Sequence, residues 1–116
     1  MKRIYHLSTC STCKKIIQEI IPSSDVQLID IKQMNIDEET LDWLKSKVGS
    51  YEALFSKRAI KYRELAPNQI PVNDEDFKPL LLQEYTFLKR PFVIDGEAIA
   101  IGNAKSEVAK AITFYK

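Results

Sequence analysis

The sequence has little of what would set it apart from ordinary globular proteins. Its 116 residues include 3 glycines, 2 cysteines and 1 histidine, and 17 basic against 16 acidic side chains leave a formal net charge of +1. A domain that binds nucleic acid through bulk charge is usually clearly basic, so we expect no direct nucleic-acid partner. No apolar run approaches the roughly 18 residues of a membrane span, and the first residues lack the apolar core of a secretory signal. We therefore expect residues 1–116 to form one soluble cytoplasmic domain.

Both cysteines lie in one short motif, Cys10-Ser11-Thr12-Cys13. A disulfide between them would stabilise the fold little, because loop-closure stabilisation grows with the length of the closed loop. A closed zinc site needs four ligands. Beyond the two thiols the sequence offers His6, and a carboxylate would have to complete the set, so we predict no metal. What remains is a pair of inert buried thiols or a reactive pair.

The first third of the chain alternates between strand and helix patterns. Residues 4–7 and 26–31 are β-favouring runs, and residues 22–25 form a turn before the second run. Between the runs, the apolar side chains follow the spacing of one helical face: Cys13, Ile16, Ile17, Ile20 and Ile21. A strand, a helix of about ten residues and a second strand make a βαβ unit, so we expect the two strands to be parallel.

Helical patterns dominate the middle third, which we expect to be a helical insert at about residues 35–88. Asn35 followed by Glu38 is a capping box that predicts the start of one helix. Gly49 stands where a left-handed residue would end that helix. Another helix is predicted around residues 77–84.

The last third returns to strands. Two β-favouring runs flank Asp95-Gly96, which is the strongest short-range signal of a type I′ hairpin. Pro91 stands at the first position of its strand, where a strand accepts proline. A closing helix follows Gly102. The whole order is β-α-β, a helical insert, then β-β-α, with the C-x-x-C between the first strand and helix, and it predicts a thioredoxin-like α/β fold with a mixed four-stranded sheet.

The placement of Cys10 and Cys13 favours a reactive pair. Cys10 falls just before the predicted helix and Cys13 in its first turn, where N–H groups lack intrahelical partners and carry partial positive charge. A cysteine pKa near 8.5 falls by about one to several units in such settings, because the thiolate is stabilised. We expect Cys10 to be the nucleophile. Cys13 is the expected resolving thiol, since positions three apart on a helix lie about 5–6 Å from each other.

Charged and polar neighbours surround the motif. Lys14 and Lys15 oppose the helix dipole, which favours acidic residues in the first turn. They are either solvated surface residues or a source of positive potential for a thiolate or an anionic substrate. Four residues offer hydroxyls that cap the helix or bind an anion: Ser8, Thr9, Ser11 and Thr12.

Two arginines extend the candidate site. Arg90 directly precedes Pro91, at a strand start that faces the C-x-x-C loop in a thioredoxin-like plan, and the X-Pro bond there is a candidate for the cis form. Guanidinium groups bind oxyanions and carboxylates bidentately. Arg90 and Arg58 therefore suggest an oxyanion or a glutathione carboxylate as ligand, and a solvated surface position is the alternative for each.

At these residues the sequence resembles the arsenate reductase/Spx family, a branch of the thioredoxin-like superfamily. The resemblance covers nearly the whole chain and rests on motifs in the family's order: Tyr5 with residues 8–15, residues 49–58 and 62–65, residues 88–95, and residues 101–102. It implies a thioredoxin-like sheet that carries a helical insert. It also implies a nucleophilic Cys10 and an active-site Arg90 before a cis Pro91.

The sequence departs from the glutathione-dependent arsenate reductases of this family in its arginines. Those enzymes usually have one cysteine in this loop and three anion-binding arginines, the third just before the last helix. Here residues 101–107 contain no arginine, and Ser56 aligns with the first arginine while Arg58 follows two residues later. The substrate, arsenate or another oxidised compound, is therefore left open. The C-x-x-C is similar to that of Spx, a regulator that binds the RNA polymerase α subunit and uses the pair as a redox switch.

Two functional hypotheses follow. In the leading one, the chain is a cytosolic thiol-dependent oxidoreductase that holds no cofactor: thiolate Cys10 attacks an oxidised sulfur or oxyanion, and Cys13 or glutathione resolves the intermediate. Its reductant is glutathione, glutaredoxin or thioredoxin. In the alternative, oxidation changes binding to the RNA polymerase α subunit. A paralogue that keeps only the fold is a third class, which an unperturbed Cys10 pKa would favour.

The site residues are assigned to two roles. Cys10, Cys13 and Arg90 are assigned to catalysis. The residues assigned to substrate binding are Ser8, Thr9, Ser11, Thr12, Lys14, Arg58 and Pro91.

Overall fold

A computed structural model of the chain describes residues 2–20 and 22–115. Its strands are β1 (Lys2–His6), β2 (Gln27–Asp30), β3 (Phe92–Asp95) and β4 (Ala98–Ile101). Its helices are α1 (Ser11–Ile20), α2 (Glu38–Val48), α3 (Ile60–Arg63), α4 (Phe77–Gln83) and α5 (Lys105–Phe114), and short 3₁₀ turns connect several of them.

The four strands form one mixed sheet in the order β2-β1-β3-β4. The β1–β2 pair is parallel, with Ile4 opposite Leu28, whereas β1–β3 and β3–β4 are antiparallel, with Val93 opposite Ile4 and Ala100. The predicted thioredoxin-like α/β fold with a mixed four-stranded sheet is therefore confirmed. Among the described residues, no helix has the length and apolar character needed to cross a membrane.

The chain divides into two compact units. One consists of residues 1–34 and 90–116 and holds the whole sheet with α1 and α5; the other consists of residues 35–89 and holds α2, α3 and α4. The first unit is built around a cluster of buried apolar side chains: Ile4, Ile16, Ile20, Val26, Val93, Ala100 and Ala111. Helix α1 buries three residues of its predicted apolar stripe, Cys13, Ile16 and Ile20. Ile21, which the stripe also included, lies outside the described residues.

The second unit has its own buried aromatic centre. The Phe55 ring lies 5.0 Å from the Phe77 ring and 4.8 Å from the Phe87 ring, centroid to centroid. On its polar side the Tyr51 hydroxyl donates to Asp42 Oδ1 at 2.6 Å. This bond, together with burial, raises the pKa of Tyr51 to about 12, so the phenol stays protonated at physiological pH.

Two local predictions need correction. Asp37, not Asn35, is the N-cap of α2: Asp37 Oδ1 accepts the Thr40 N–H at 2.8 Å, while the Asn35 amide donates to the Leu81 and Leu82 carbonyls at 3.1 Å each. A contact 46 residues away in the sequence therefore decides the role of Asn35.

The second correction concerns the β3–β4 hairpin. Asp95 still pairs with Ala98 in the sheet, so the two turn residues are Gly96 and Glu97 rather than Asp95 and Gly96. Gly96 has φ of 61° at the first turn position, where both mirror-image hairpin turns require a positive φ. Gly49 ends α2 with φ of 98°, as the sequence predicted.

Candidate active site

The backbone between β1 and α1 places Cys10 at the start of the helix. The Cys10 N–H donates to the Leu7 carbonyl at 3.0 Å, which closes the turn that follows β1. The Cys10 carbonyl accepts the Lys14 N–H at 3.2 Å. The residue whose carbonyl accepts the first hydrogen bond of a helix is its N-cap. Cys10 is therefore the N-cap of α1, and its thiol lies at the start of the helix.

The two thiols differ in accessibility. Both cysteines are free; Cys10 is partly exposed, whereas Cys13 is buried at 1% relative exposure. Cys13 lies on the face of α1 that packs into the core, while Cys10 precedes the helix and escapes that packing. A dissolved molecule therefore reaches the sulfur of Cys10 before that of Cys13.

The pKa of the Cys10 thiol lies below its ordinary value. Burial by itself would raise this pKa, but hydrogen bonds from the Cys13 N–H, the Cys13 thiol and the Thr12 N–H outweigh burial, and the positive charge of Arg90 adds to them. All four favour the thiolate over the thiol, because each presents positive charge or a donated proton to the sulfur. Cys10 thus has the electrostatic environment of a nucleophile.

Cys13 is shifted in the opposite direction. Burial is the largest cause, and with the negative charge of the neighbouring Cys10 it raises the pKa of Cys13 to about 11, although a hydrogen bond from the Leu7 backbone and the charge of Arg90 act in the opposite direction. At neutral pH Cys13 is therefore a protonated thiol, and it donates to the Cys10 sulfur. Since the charge of Cys10 contributes to this pKa, Cys13 becomes more acidic once Cys10 enters a disulfide.

Alkylation should separate the two thiols. We expect the rate at which iodoacetamide modifies Cys10 to reach half of its plateau at a lower pH in the folded protein than in the urea-unfolded chain, because the thiolate is the reacting form and the fold lowers its pKa. Cys13 should stay unmodified at neutral pH. Mass spectrometry of the native protein over pH 5–10 gives both rates, with the urea-unfolded chain as the control in which the two thiols react alike. Equal rates in the folded protein would contradict the assignment.

Arg90 and Pro91 lie beside the thiols through the pairing of β1 with β3. Tyr5 pairs with Phe92, so the residues that precede β3 lie next to those that follow β1. The Arg90–Pro91 peptide bond is cis, and Pro91 is fully buried while Arg90 is partly exposed. The guanidinium charge lowers the pKa of both thiols, which places it within electrostatic reach of both sulfurs.

The other predicted binding residues fall into two groups. The first group surrounds the start of α1 near Cys10 and is at least partly exposed: Ser8, Thr9, Ser11, Thr12 and Lys14. Arg58 belongs to the second compact unit, where it is exposed in the turn that precedes α3.

Asp30 is a site residue that the sequence analysis missed. It ends β2, opposite His6 of β1, and its Oδ1 accepts the Ser8 N–H and the Lys32 N–H at 3.2 Å each. A hydrogen bond from the Ser8 side chain, together with those from the Ser8 and Lys32 backbones, holds the pKa of Asp30 below its usual range. Asp30 thus anchors the loop that carries Cys10. The signal that could have identified Asp30 from the sequence is its position, because it is an acidic residue at the end of a strand predicted to run parallel to β1.

Replacing Asp30 tests this anchor. We expect Asp30→Ala to slow Cys10 alkylation and turnover by about 3- to 10-fold, because the loop loses the acceptor that positions it. Asp30→Asn removes the same charge but keeps an acceptor oxygen, so it should retain most of the rate. Asp25, exposed and paired with Lys2, supplies the control Asp25→Asn. Equal losses in the alanine and asparagine variants would show that charge, rather than anchoring, is what Asp30 provides.

The fold and the paired thiols define the class of the protein: a thioredoxin-like chain with a C-x-x-C at the start of its first helix. The model of the ArsC family matches residues 5–111. The chain therefore belongs to the ArsC family and has the arsenate-reductase-like thiol oxidoreductase fold. A comparison with curated proteins gave no significant match.

Solved structures agree with this fold over almost the whole chain. The YffB protein superposes with a TM-score of 0.80 at 22% identity, over 97% of this chain and 99% of that one. An arsenate reductase related protein from Brucella melitensis gives a TM-score of 0.69 at 24% identity, over 91% and 89% of the two chains. The arsenate reductase from Vibrio cholerae gives 0.74 at 16% identity, over 97% and 96%.

Proposed function

We propose that the protein is a thiol-dependent reductase in which Cys10 is the nucleophile. The observation that carries the proposal is the opposite shift of two neighbouring thiols: the pKa of Cys10 is lowered, and that of Cys13 is raised to about 11. In such a pair Cys10 ionises at a lower pH than Cys13, which gives one thiol the role of nucleophile and leaves the other protonated, the division of roles that thiol–disulfide exchange needs. The charge of Arg90 favours the Cys10 thiolate, and we assign its guanidinium group to the binding of an anionic substrate.

The first step breaks a bond of the substrate. With a disulfide, the Cys10 thiolate attacks one sulfur, the S–S bond breaks, and the second sulfur leaves as a thiolate that takes a proton from solvent. The product is a mixed disulfide on Cys10. An oxyanion substrate would be attacked at its central atom, and one of its oxygens would leave and be protonated to water. Arg90 and the hydroxyls around Cys10 would be its ligands.

The second step is carried out by Cys13 or by an external thiol such as glutathione. At pH 7 a thiol of pKa about 11 is ionised to only about one part in 10⁴, which favours the external thiol wherever it is abundant. In the mixed disulfide Cys10 no longer carries a negative charge, so the pKa of Cys13 falls and a larger fraction of Cys13 is the reactive thiolate. We propose a cytoplasmic setting, where glutathione, glutaredoxin and thioredoxin keep thiols reduced.

A panel of substrates and reductants tests the proposal. Purified protein is assayed with hydroxyethyl disulfide, a protein–glutathione mixed disulfide and arsenate, each with glutathione alone, glutaredoxin or thioredoxin. We expect turnover of the disulfides with glutathione. Absence of turnover in every combination would refute the enzyme assignment, and turnover of arsenate alone would identify an oxyanion as the substrate.

The contact between the two thiols favours a second candidate, a redox switch of Spx type. The Cys13 thiol donates to the Cys10 sulfur, so the two sulfurs need to move only a little to form a disulfide when the protein is oxidised. A pull-down with the RNA polymerase α C-terminal domain, under oxidising and reducing conditions, tests this role. Capture in one redox state only would support it, and no capture in either state would remove it.

A further inference from the structure

Residues 57–76, in the second compact unit, divide into two blocks of opposite charge. Residues 57–63, the basic block, contain four basic side chains and no acidic one, whereas residues 64–76, the acidic block, contain four acidic side chains and no basic one. Among the described residues, five large apolar side chains are exposed, and three of them lie in these two blocks: Ile60, Ile70 and Val72. Neither the charge pattern nor the exposed apolar side chains are used by the thiol chemistry.

The two blocks are neighbours in space as well as in sequence. Tyr62, in the basic block, and Phe77, directly after the acidic block, pack on the same ring, since their centroids lie 5.6 Å and 5.0 Å from that of Phe55. The Lys57 ammonium group lies 5.7 Å from the centroid of the Phe77 ring. The two ends of residues 57–76 are therefore close together, and the exposed side chains of both blocks belong to one region, which we call the 57–76 surface.

Side-chain hydrogen bonds order the loop that follows α3. Gln69 Oε1 accepts the Ala66 N–H at 2.8 Å, and Asp76 Oδ2 accepts the Val72 N–H at 3.0 Å. The Val72 side chain nevertheless keeps most of its surface in solvent, at 86% relative exposure. A loop that is already ordered loses little conformational freedom when it binds, so this loop presents its apolar side chains at a small entropic cost.

Half of the charges on this surface are engaged inside the chain, and half are exposed. Lys57 and Lys61 form ion pairs, and Asp74 and Asp76 accept backbone N–H groups. The other four charged side chains are exposed, two from each block: Arg58, Arg63, Glu64 and Glu75. Two cations in one block and two carboxylates in the other make the surface complementary to a copy of itself that is rotated by half a turn.

We propose that the 57–76 surface is the interface of a twofold-symmetric dimer of this chain. The basic block of each copy lies over the acidic block of the other, and Ile70 and Val72 occupy the centre, where interfaces are depleted of charge. One self-complementary patch is enough for such a contact, which is the commonest type among homo-oligomers. Residues 57–76 match in number the roughly 20–30 residues that each side of a standard interface contributes. The dimer does not depend on the redox chemistry of Cys10.

Sedimentation velocity of the wild-type protein tests the dimer itself. Measured from about 5 to 500 μM with a reductant that prevents disulfide links between copies, the protein should shift from monomer to dimer. It should form nothing larger, because a twofold contact closes on itself. A monomer at every concentration, or species larger than a dimer, would overturn the inference.

Charge reversal tests whether the two blocks form the interface. The double variants Arg58→Glu/Arg63→Glu and Glu64→Lys/Glu75→Lys each bring like charges together, so each should raise the dissociation constant at least about tenfold. Mixed in equal amounts, the two variants should form a heterodimer with an affinity within about threefold of the wild-type dimer, since each reversed block then meets the opposite charge. Dimers that neither variant weakens, or a mixture that stays monomeric, would contradict the placement of the blocks.

A single apolar substitution gives a second measurement that keeps every charge. Val72→Gln should raise the dissociation constant about tenfold, because it places a polar side chain at the centre of the interface. The matched control is Met34→Gln, since Met34 is also strongly exposed but belongs to the other compact unit, and its affinity should stay within about twofold of the wild type. Thermal unfolding of each variant checks that it is folded. Equal effects of the two substitutions would show that the interface lies elsewhere.

Discussion

Replacing Cys10 with serine should lower the turnover of hydroxyethyl disulfide with glutathione by about 10³-fold or more. A serine hydroxyl in this position remains protonated at neutral pH, so the sheet edge keeps its shape but loses its nucleophile. The fold should be retained, because serine is a favoured N-cap residue and its backbone can make the same bonds to Leu7 and Lys14. Steady-state turnover and thermal unfolding, measured on the same preparation, check both expectations.

The matched variant is Cys13→Ser. Because an external thiol can resolve the mixed disulfide on Cys10, we expect this variant to keep at least about a tenth of the turnover with glutathione. It should no longer form the internal disulfide, which nonreducing mass analysis would show after mild oxidation. If Cys10→Ser retained substantial turnover, the nucleophile would lie elsewhere. If the two variants were equally inactive, resolution by glutathione would be excluded and Cys13 would be required.

Replacing Arg90 with methionine should have the second-largest effect, a loss of about 10²-fold in turnover. The guanidinium charge lowers the pKa of Cys10, so its removal raises that pKa and moves the alkylation profile of Cys10 to higher pH. Assayed near neutral pH, the variant then has less thiolate. It also lacks the bidentate donor that an oxyanion or carboxylate would use. Turnover at several pH values separates these two contributions.

The conservative variant Arg90→Lys keeps the charge and loses the planar donor pair. We expect its alkylation profile to stay near that of the wild-type protein while its turnover of an anionic substrate falls. Arg63→Gln is the control, since Arg63 is exposed on α3 in the other compact unit. An unchanged Cys10 profile in Arg90→Met would show that the hydrogen bonds from Thr12 and Cys13 stabilise the thiolate without help from Arg90.

The sequence was most informative where one interaction decides a local structure. The apolar stripe of α1 follows from helical spacing alone, and three of its members are buried. Gly49 ends α2 with a positive φ because a residue without a Cβ adopts that conformation at little cost. The hairpin was predicted in the correct place but one residue out of register, because strand pairing kept Asp95 in the sheet.

The sequence was least informative where a polar side chain has several possible partners. Asn35 met every local requirement of an N-cap, yet its amide binds carbonyls on α4 and Asp37 takes the cap. Asp30 carried no motif, and its contact with Ser8 exists only because β1 and β2 are parallel neighbours. Both outcomes depend on contacts between residues distant in the chain, which local patterns do not encode.

The sequence by itself determined the order of strands and helices, the position of Cys10 and Cys13 at a helix start, and the proline after Arg90. These features depend on hydrophobic periodicity and on the conformational limits of single residues, which act over a few positions. The sequence also predicted Cys10 as the nucleophile, but only the tertiary structure supplied the opposite pKa shifts of the two thiols. Burial raises the pKa of Cys13, donors and Arg90 lower that of Cys10, and Asp30 holds the loop between them and β1. Electrostatics of this kind depends on distances in space, so it appears only when β1, β2 and β3 are assembled.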